Sequence, residues 1–205
     1  MYKTIKNLRW YMIALVTIGT ILGYLTRNSI AVAAPVLNDV MGLTTQQYSY
    51  VVAAYSACYT IMQPVAGYVL DLLGTRIGYA VFALLWSIFC ISTAFSGSWI
   101  GLAVTRGAVG ASEAAMIPAG LKATSEWFPA KERSIAVGWF NLGSSVGAMI
   151  APPLVAAAIW LHSWQLAFII CGILSFIWGL FWFVLYRVIR PNKNIYQKRK
   201  ENIFY

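Results

Sequence analysis

The sequence predicts an all-α membrane protein of six transmembrane helices, and three observations carry that prediction. The 205 residues are 60% hydrophobic and only 10% charged, where a soluble domain averages about 25% charged. Six apolar runs of about 20 residues or more are separated by short polar links, each run long enough to cross a hydrocarbon core of about 30 Å. Thirteen of the fifteen Lys and Arg residues sit at the two ends of the chain or at alternate links.

The first span is expected over Trp10 to Ala34, closed by Pro35, whose ring and missing N–H oppose helix continuation. Ala31-Val32-Ala33 resembles a signal cleavage site, but the apolar stretch exceeds the usual length of a signal core and Arg27 interrupts it, so it is kept as a span. Span two is expected from Tyr48 to Leu70, after a polar loop, and Asp71 to Arg76 form a tight turn. Span three covers Ile77 to Phe95. Span four covers Trp99 to Leu121, followed by a polar link from Lys122 to Arg133. Span five runs from Ser134 to Trp160 and span six from Trp164 to Tyr186. The domains are thus a short N-terminus (1–9), a six-helix bundle (10–187) and a basic tail (188–205).

Orientation follows from the basic residues, which mark cytoplasmic links. Lys3, Lys6, Arg9, Arg76, Lys122, Lys131, Arg133, Arg187, Arg190, Lys193, Lys198, Arg199 and Lys200 lie before the first span, after the even-numbered spans or in the tail. Both termini are therefore expected in the cytoplasm. The net charge of +9 reports topology and contact with anionic lipid. It does not report nucleic acid, whose binders gather Lys and Arg on one folded face. Trp10, Trp99, Trp127, Trp160 and Trp164 stand at span ends, as an interfacial belt would place them. Cys58, Cys90 and Cys171 are scattered through apolar runs, with no CxxC or His/Cys cluster, so they read as small core residues and no metal is expected. His162 stands alone at a link and no nucleophile–base pair is evident, so an enzyme is not expected.

Three ionisable residues break the apolar pattern. Arg27 lies eight residues before Pro35, about 12 Å along a helix. It is either an arginine snorkelling to the interface or an anchor whose planar fork fits a carboxylate. Arg106 and Glu113, seven residues apart, share one face of span four, about 10 Å apart along the axis. Charges at membrane depth are costly, roughly 2.5–3.5 kcal/mol each on insertion scales, and usually face a cavity. Glu113 is the one carboxylate there. It is a candidate to load and release a proton, or else a static partner of Arg106 or Arg27. In span two, Tyr55, Tyr59 and Gln63 recur every fourth residue with Ser56 and Thr60 beside them, a stripe that is either a cavity wall or helix–helix glue. In span five, Gly143-x-x-x-Gly147 permits close helix approach, and Ser144 is a further cavity candidate. Arg27 before Pro35 and Arg106 before Pro118 hint at two inverted three-helix repeats, a transporter signature.

The sharpest motif is Gly67-Tyr-Val-Leu-Asp71-Leu-Leu-Gly74-Thr75-Arg76, at the end of span two. It resembles the cytoplasmic helix 2–3 signature of the major facilitator superfamily. Arg106 with Gly110 is similar to a second superfamily motif. Glu126-Trp127-Phe128-Pro129-Ala-Lys-Glu132-Arg133 and Tyr24-x-x-Arg27 resemble its anion:cation symporter family. Gly23-Tyr-Leu-Thr-Arg-Asn28, Met62-Gln-Pro-Val-Ala-Gly-Tyr-Val-Leu-Asp71 and Ala115-Met-Ile-Pro-Ala-Gly-Leu-Lys122 narrow the resemblance to bacterial hexuronate transporters, over residues 8 to about 190.

The resemblance implies a proton-coupled importer of glucuronate, galacturonate or related sugar acids in the bacterial inner membrane, with no cofactor beyond the coupling proton. Arg27 would grip the carboxylate, Tyr59, Gln63 and Ser144 would line the substrate cavity, and Glu113 would be the protonation switch with Arg106 as supporting charge. Gly67, Asp71, Gly74 and Arg76 would form the gating motif. Many members carry Asp immediately before the arginine of the first helix, whereas this chain has Thr26, which puts the proton stoichiometry in question. Such transporters have twelve helices in two halves, so this chain is expected to be an N-terminal half that needs a C-terminal half or a second copy. The alternative is a truncated, non-transporting product or a half-transporter subunit.

Overall fold

The computed structural model describes residues 8–189. Helix α1 spans Leu8–Met41, α2 Thr45–Thr93, α3 Trp99–Glu113, α4 Met116–Trp127, α5 Arg133–Leu161 and α6 Trp164–Ile189, with a 3-10 turn at Ala130–Glu132 before α5. Four of these are long and apolar enough to cross a membrane on length and composition: α1, α2, α5 with its preceding turn, and α6. The 49 residues of α2 would extend about 74 Å if straight. They bend back at Gly74, where φ is 76° and ψ 157°, a backbone conformation that glycine adopts without strain. The limbs 45–73 and 75–93 are therefore two crossings, α3 with α4 makes a fourth, and the six expected spans stand.

Local chemistry sets the ends. At Gly42, φ is 61°, and Leu43 N–H bonds Asn38 O at 3.1 Å, a Schellman closure of α1. Thr44 then starts α2 with a capping box: its hydroxyl accepts from Gln47 N–H at 3.2 Å while the Gln47 side chain accepts from Thr44 N–H at 2.9 Å. Ser98 caps α3 by accepting from Gly101 N–H at 3.2 Å.

Two expected boundaries are corrected. Pro35 does not stop the first helix, which continues to Met41. Pro35 and Ala31, whose carbonyl loses its helical donor, both lie on the exposed face of α1. Pro118 is the proline that breaks its helix. It withholds the N–H that Ala114 O would accept, and α3 ends at Glu113 while α4 begins at Met116. Ala114 and Ala115 between them keep right-handed helical dihedrals. The expected link from Lys122 is helical as far as Trp127. The aromatic belt is also only partly present, since Trp160 is 85% exposed whereas Trp127 and Trp164 pack inward. The basic tail beyond 189, and Lys3 and Lys6, lie outside the described residues.

The largest interfaces join α1 to α5 and α6, and α2 to α3 and α6. Small residues allow the closest of these. A Cβ on Gly110 of α3 would collide with the carbonyl oxygen of Tyr55, and one on Gly147 of α5 with that of Ile21. Tyr79 and Trp86 of α2 mesh with Trp178, Trp182 and Tyr186 of α6, ring centroids 4.8–6.0 Å apart. Trp178 also donates to Leu15 O of α1 at 3.1 Å. Cys90 and Cys171 are buried in this core and Cys58 is half-buried, all three as free thiols.

Candidate functional site: a buried cluster of two arginines, a glutamate and tyrosines

Each half of the predicted pattern of charges finds its place between α1, α2 and α3. Arg27 projects from α1 into a cluster of tyrosine rings. Its guanidinium carbon lies 5.2 Å from the ring centroids of Tyr55 and Tyr59 on α2 and 5.8 Å from that of Tyr24 on its own helix. Rings at that range attract a cation through their negative faces, by about 0.5–2 kcal/mol each depending on desolvation. Tyr55 and Tyr59 stack on one another at 6.0 Å with 17° between planes.

Tyr55 and Glu113 meet directly. The Tyr55 hydroxyl donates to Glu113 Oε2 at 2.5 Å, although 58 residues separate them. Glu113 is 1% exposed, and its Oε1 has no hydrogen-bond partner. Arg106, also 1% exposed, does not pair with Glu113. Its Nη1 donates to Thr26 O at 3.3 Å and its guanidinium lies 4.7 Å from the Phe168 ring of α6, while Nε and Nη2 have no partner. Arg106 therefore pins α3 to α1 and α6. The two arginine-bearing helices, each opening a three-span unit, touch at that bond. Neither Arg27 nor Arg106 forms an ion pair among the described residues.

The span-two stripe divides. Tyr55 and Tyr59 turn inward at 7% and 9% exposure, whereas Ser56 and Thr60 are exposed and spend their hydroxyls on Val52 O and Ser56 O of their own helix. They are therefore not glue between helices of this unit. Gln63 is half-buried. Ser144 is half-buried too, and its hydroxyl donates to Asn141 O at 2.7 Å. No hydrogen bond joins Gln63 or Ser144 to Arg27 among the described residues, so the pocket residues brought into mutual contact are Arg27, Tyr59 and, through Tyr55, Glu113.

The Gly67–Arg76 motif forms a second polar region at the Gly74 bend. Asp71 pairs with Lys122 of α4 at 2.6 Å, and the same ammonium donates to Leu70 O at 2.7 Å. A groove of about 460 Å³ opens beside this pair, lined by Gly67 and Leu70 of α2 and Pro118, Leu121 and Ser125 of α4. Arg76 Nε donates to Phe183 O at 3.1 Å and its guanidinium lies 4.5 Å from the Phe183 ring. Glu126 accepts from Thr75 at 2.9 Å and from the Tyr186 hydroxyl. Arg9 pairs with Glu132 at 2.8 Å. The described basic residues Arg9, Arg76, Lys122, Lys131 and Arg133 thus gather at one end of the bundle, as the alternation of the links requires.

Comparison with known proteins was consistent with this arrangement. Residues 16–202 match the Major Facilitator Superfamily. The chain belongs to that superfamily. It is 68% identical to the hexuronate transporter of Escherichia coli K12 over 98% of this chain and 46% of that protein. It is 66% identical to the galacturonate transporter of Dickeya chrysanthemi over 99% of this chain and 59% of that protein. The chain thus spans about half the length of the curated relatives it matches. A bacterial homolog of the human lysosomal transporter Spinster, in an inward-facing and unoccupied conformation, superposes with a TM-score of 0.78 at 23% identity, covering 87% of this chain and 43% of that one. That likeness speaks to the fold. The protein is a multi-pass membrane member of a transporter superfamily, and its relatives are transporters rather than enzymes.

Sequence reasoning located Arg27, Glu113 and Arg106 but missed what they touch. It also missed Lys122 as the partner of Asp71, and the Thr75–Glu126–Tyr186 chain. Glu126, one of two acids among the basic residues after span four, was the available signal for the latter.

Proposed function

We propose that this chain supplies the N-terminal half of a proton-coupled symporter for hexuronates or related sugar acids in a bacterial cytoplasmic membrane, with both ends of the six-helix unit on the cytoplasmic side. The observation that carries the reading is Arg27, a guanidinium inside the bundle surrounded by aromatic rings and, among the described residues, without a carboxylate partner. A sugar acid provides that carboxylate, and the planar fork binds it through two parallel hydrogen bonds. Tyr59, Gln63 and Ser144 offer polar groups for sugar hydroxyls. The printed names of two relatives, at 68% and 66% identity, support the same substrate class.

Glu113 takes the coupling proton. It is buried and its one bonded neighbour is a neutral phenol. Arg106 supports the site by its charge and by holding α3 on α1. Gly67, Asp71, Gly74 and Arg76 act as the gate: the bend at Gly74 is tied to α4 through Asp71 and to α6 through Arg76. A second six-helix half closes the cavity. No organic cofactor enters, and H+ is the coupling ion.

Uptake of labelled glucuronate and galacturonate into proteoliposomes tests this, with and without an inward proton gradient, for this chain alone and co-expressed with a complementary half. The co-expressed pair is expected to accumulate substrate only with the gradient. Glu113→Gln is expected to lose accumulation yet retain substrate exchange. Gradient-driven accumulation by that variant removes the proton role, and absence of uptake in every combination removes the transporter reading.

A further inference from the structure

We infer that Tyr55 is the positioning residue that couples the proton on Glu113 to the readiness of Arg27 for an anion. The inference rests on the roles proposed above for those two residues. Glu113 and Arg27 form no ion pair among the described residues, so beyond their through-space attraction no shared bond carries the state of one to the other. Tyr55 touches both. Its hydroxyl donates to Glu113 Oε2 at 2.5 Å, and its ring lies 5.2 Å from the Arg27 guanidinium carbon. Its backbone is fixed from behind, because Gly110 of α3 packs against the Tyr55 carbonyl with no room for a side chain. The phenol is therefore the part of this residue that can respond.

The sequence of events follows from hydrogen-bond chemistry. An ionised Glu113 accepts from Tyr55 in a charge-assisted bond, the stronger kind, and holds the ring against the guanidinium. Arg27 is then satisfied by the faces of Tyr24, Tyr55 and Tyr59. The proton arrives on Oε1, the oxygen without a partner, and Tyr55 keeps its own throughout. Oε2 becomes a neutral and weaker acceptor, the ring is released, and Arg27 exchanges an aromatic face for the incoming carboxylate. Proton and anion thereby favour one another's binding, reciprocally, as linkage demands. Besides Arg27 of α1, the groups facing the Tyr55–Glu113 pair are Tyr59 and Tyr79 of α2, Arg106 of α3, and the thiols of Cys90 and Cys171, which act as fixed contributors. Tyr59 contacts Arg27 but makes no hydrogen bond to Glu113, and its own hydroxyl is unpartnered.

Tyr55→Phe in the full-length transporter carrying this unit tests the inference, because it keeps the ring and removes the link. In the unsubstituted protein, acidification is expected to lower the KM for the sugar acid by at least about fivefold, the low end of coupling between linked sites. In Tyr55→Phe that dependence should shrink to within about twofold, whereas Tyr59→Phe should retain it. A lowered melting temperature with the full pH dependence of KM intact would reduce Tyr55 to a structural residue and overturn the inference. Glu113→Gln separates the layers: if that variant keeps pH-dependent accumulation the underlying reading fails, and if it loses it while Tyr55→Phe does not, the Tyr55 inference alone fails. Should Tyr55→Phe not accumulate in the membrane, infrared difference spectra of the unsubstituted protein with ring-deuterated tyrosine decide. The tyrosine bands should change with the same pH midpoint as the buried carboxyl band, and tyrosine bands that stay constant through that transition overturn the inference.

Discussion

Two polar regions of this bundle handle charge in opposite ways. At the Gly74 end, Asp71 pairs with Lys122 and Arg9 with Glu132, and Glu126 receives two hydroxyl donors. Inside the bundle, Arg27, Arg106 and Glu113 share no ion pair among the described residues and lean on rings, a phenol and a carbonyl. At the end, the charged side chains are half-buried or exposed, so solvent screens their pairing, which adds little and blocks nothing. Inside, the attraction between paired charges is stronger but desolvation offsets it, and a completed pair would close the site, because a neutralised guanidinium has no reason to accept a substrate anion. The contrast teaches that incomplete pairing at depth, rather than the mere presence of charge there, is what sets the inner cluster apart from the end of the bundle.

The comparison can be broken most forcefully from the inner side. Gly110→Val inserts a side chain where the Tyr55 carbonyl already sits. It should destabilise the fold by about 1–3 kcal/mol, as overpacking does, and abolish gradient-driven uptake, read by thermal melting and flux. Arg27→Lys keeps the charge and loses the fork. It should reduce uptake by about 10- to 100-fold with the melting temperature unchanged, on the scale of charge-assisted hydrogen bonds. Wild-type uptake by that variant would remove Arg27 as the anchor.

The outer region should yield smaller effects, which sharpens the contrast. Tyr186→Phe withdraws one donor from Glu126 and should lower stability by about 1 kcal/mol, the net worth of a typical hydrogen bond, seen as a shift in the melting temperature. Asp71→Asn removes a pair whose acid side chain is 75% exposed. The expected loss of stability is about 0–1 kcal/mol and should vanish in high salt. A larger and salt-insensitive loss there would mean that the two regions do not differ as described.

The number of spans and the side on which the basic residues gather were legible from the chain alone. Hydropathy over about 20 residues and charge at span ends are local properties, and the bilayer acts on them segment by segment. The presence of ionisable residues at depth, Arg27, Arg106 and Glu113, was legible for the same reason, since an ionisable residue in an apolar run stands out whatever surrounds it. The Gly74 turn was equally readable, because only glycine accepts its φ of 76° freely.

Tertiary structure alone decided which proline ends a helix. Pro35 and Pro118 make the same local demand, yet α1 runs through the first and the fourth span breaks at the second. The two freed carbonyls sit in different surroundings, that of Ala31 on an exposed face and that of Ala114 in the buried core, a difference no local rule contains. It also decided every partnership at the site. Tyr55 reaches Glu113 across 58 residues and Arg106 reaches Thr26 across 80. Helical periodicity places Arg106 and Glu113 on one face, but the helices that close on that face determine their partners, and here Arg106 bonds α1 while Glu113 bonds α2.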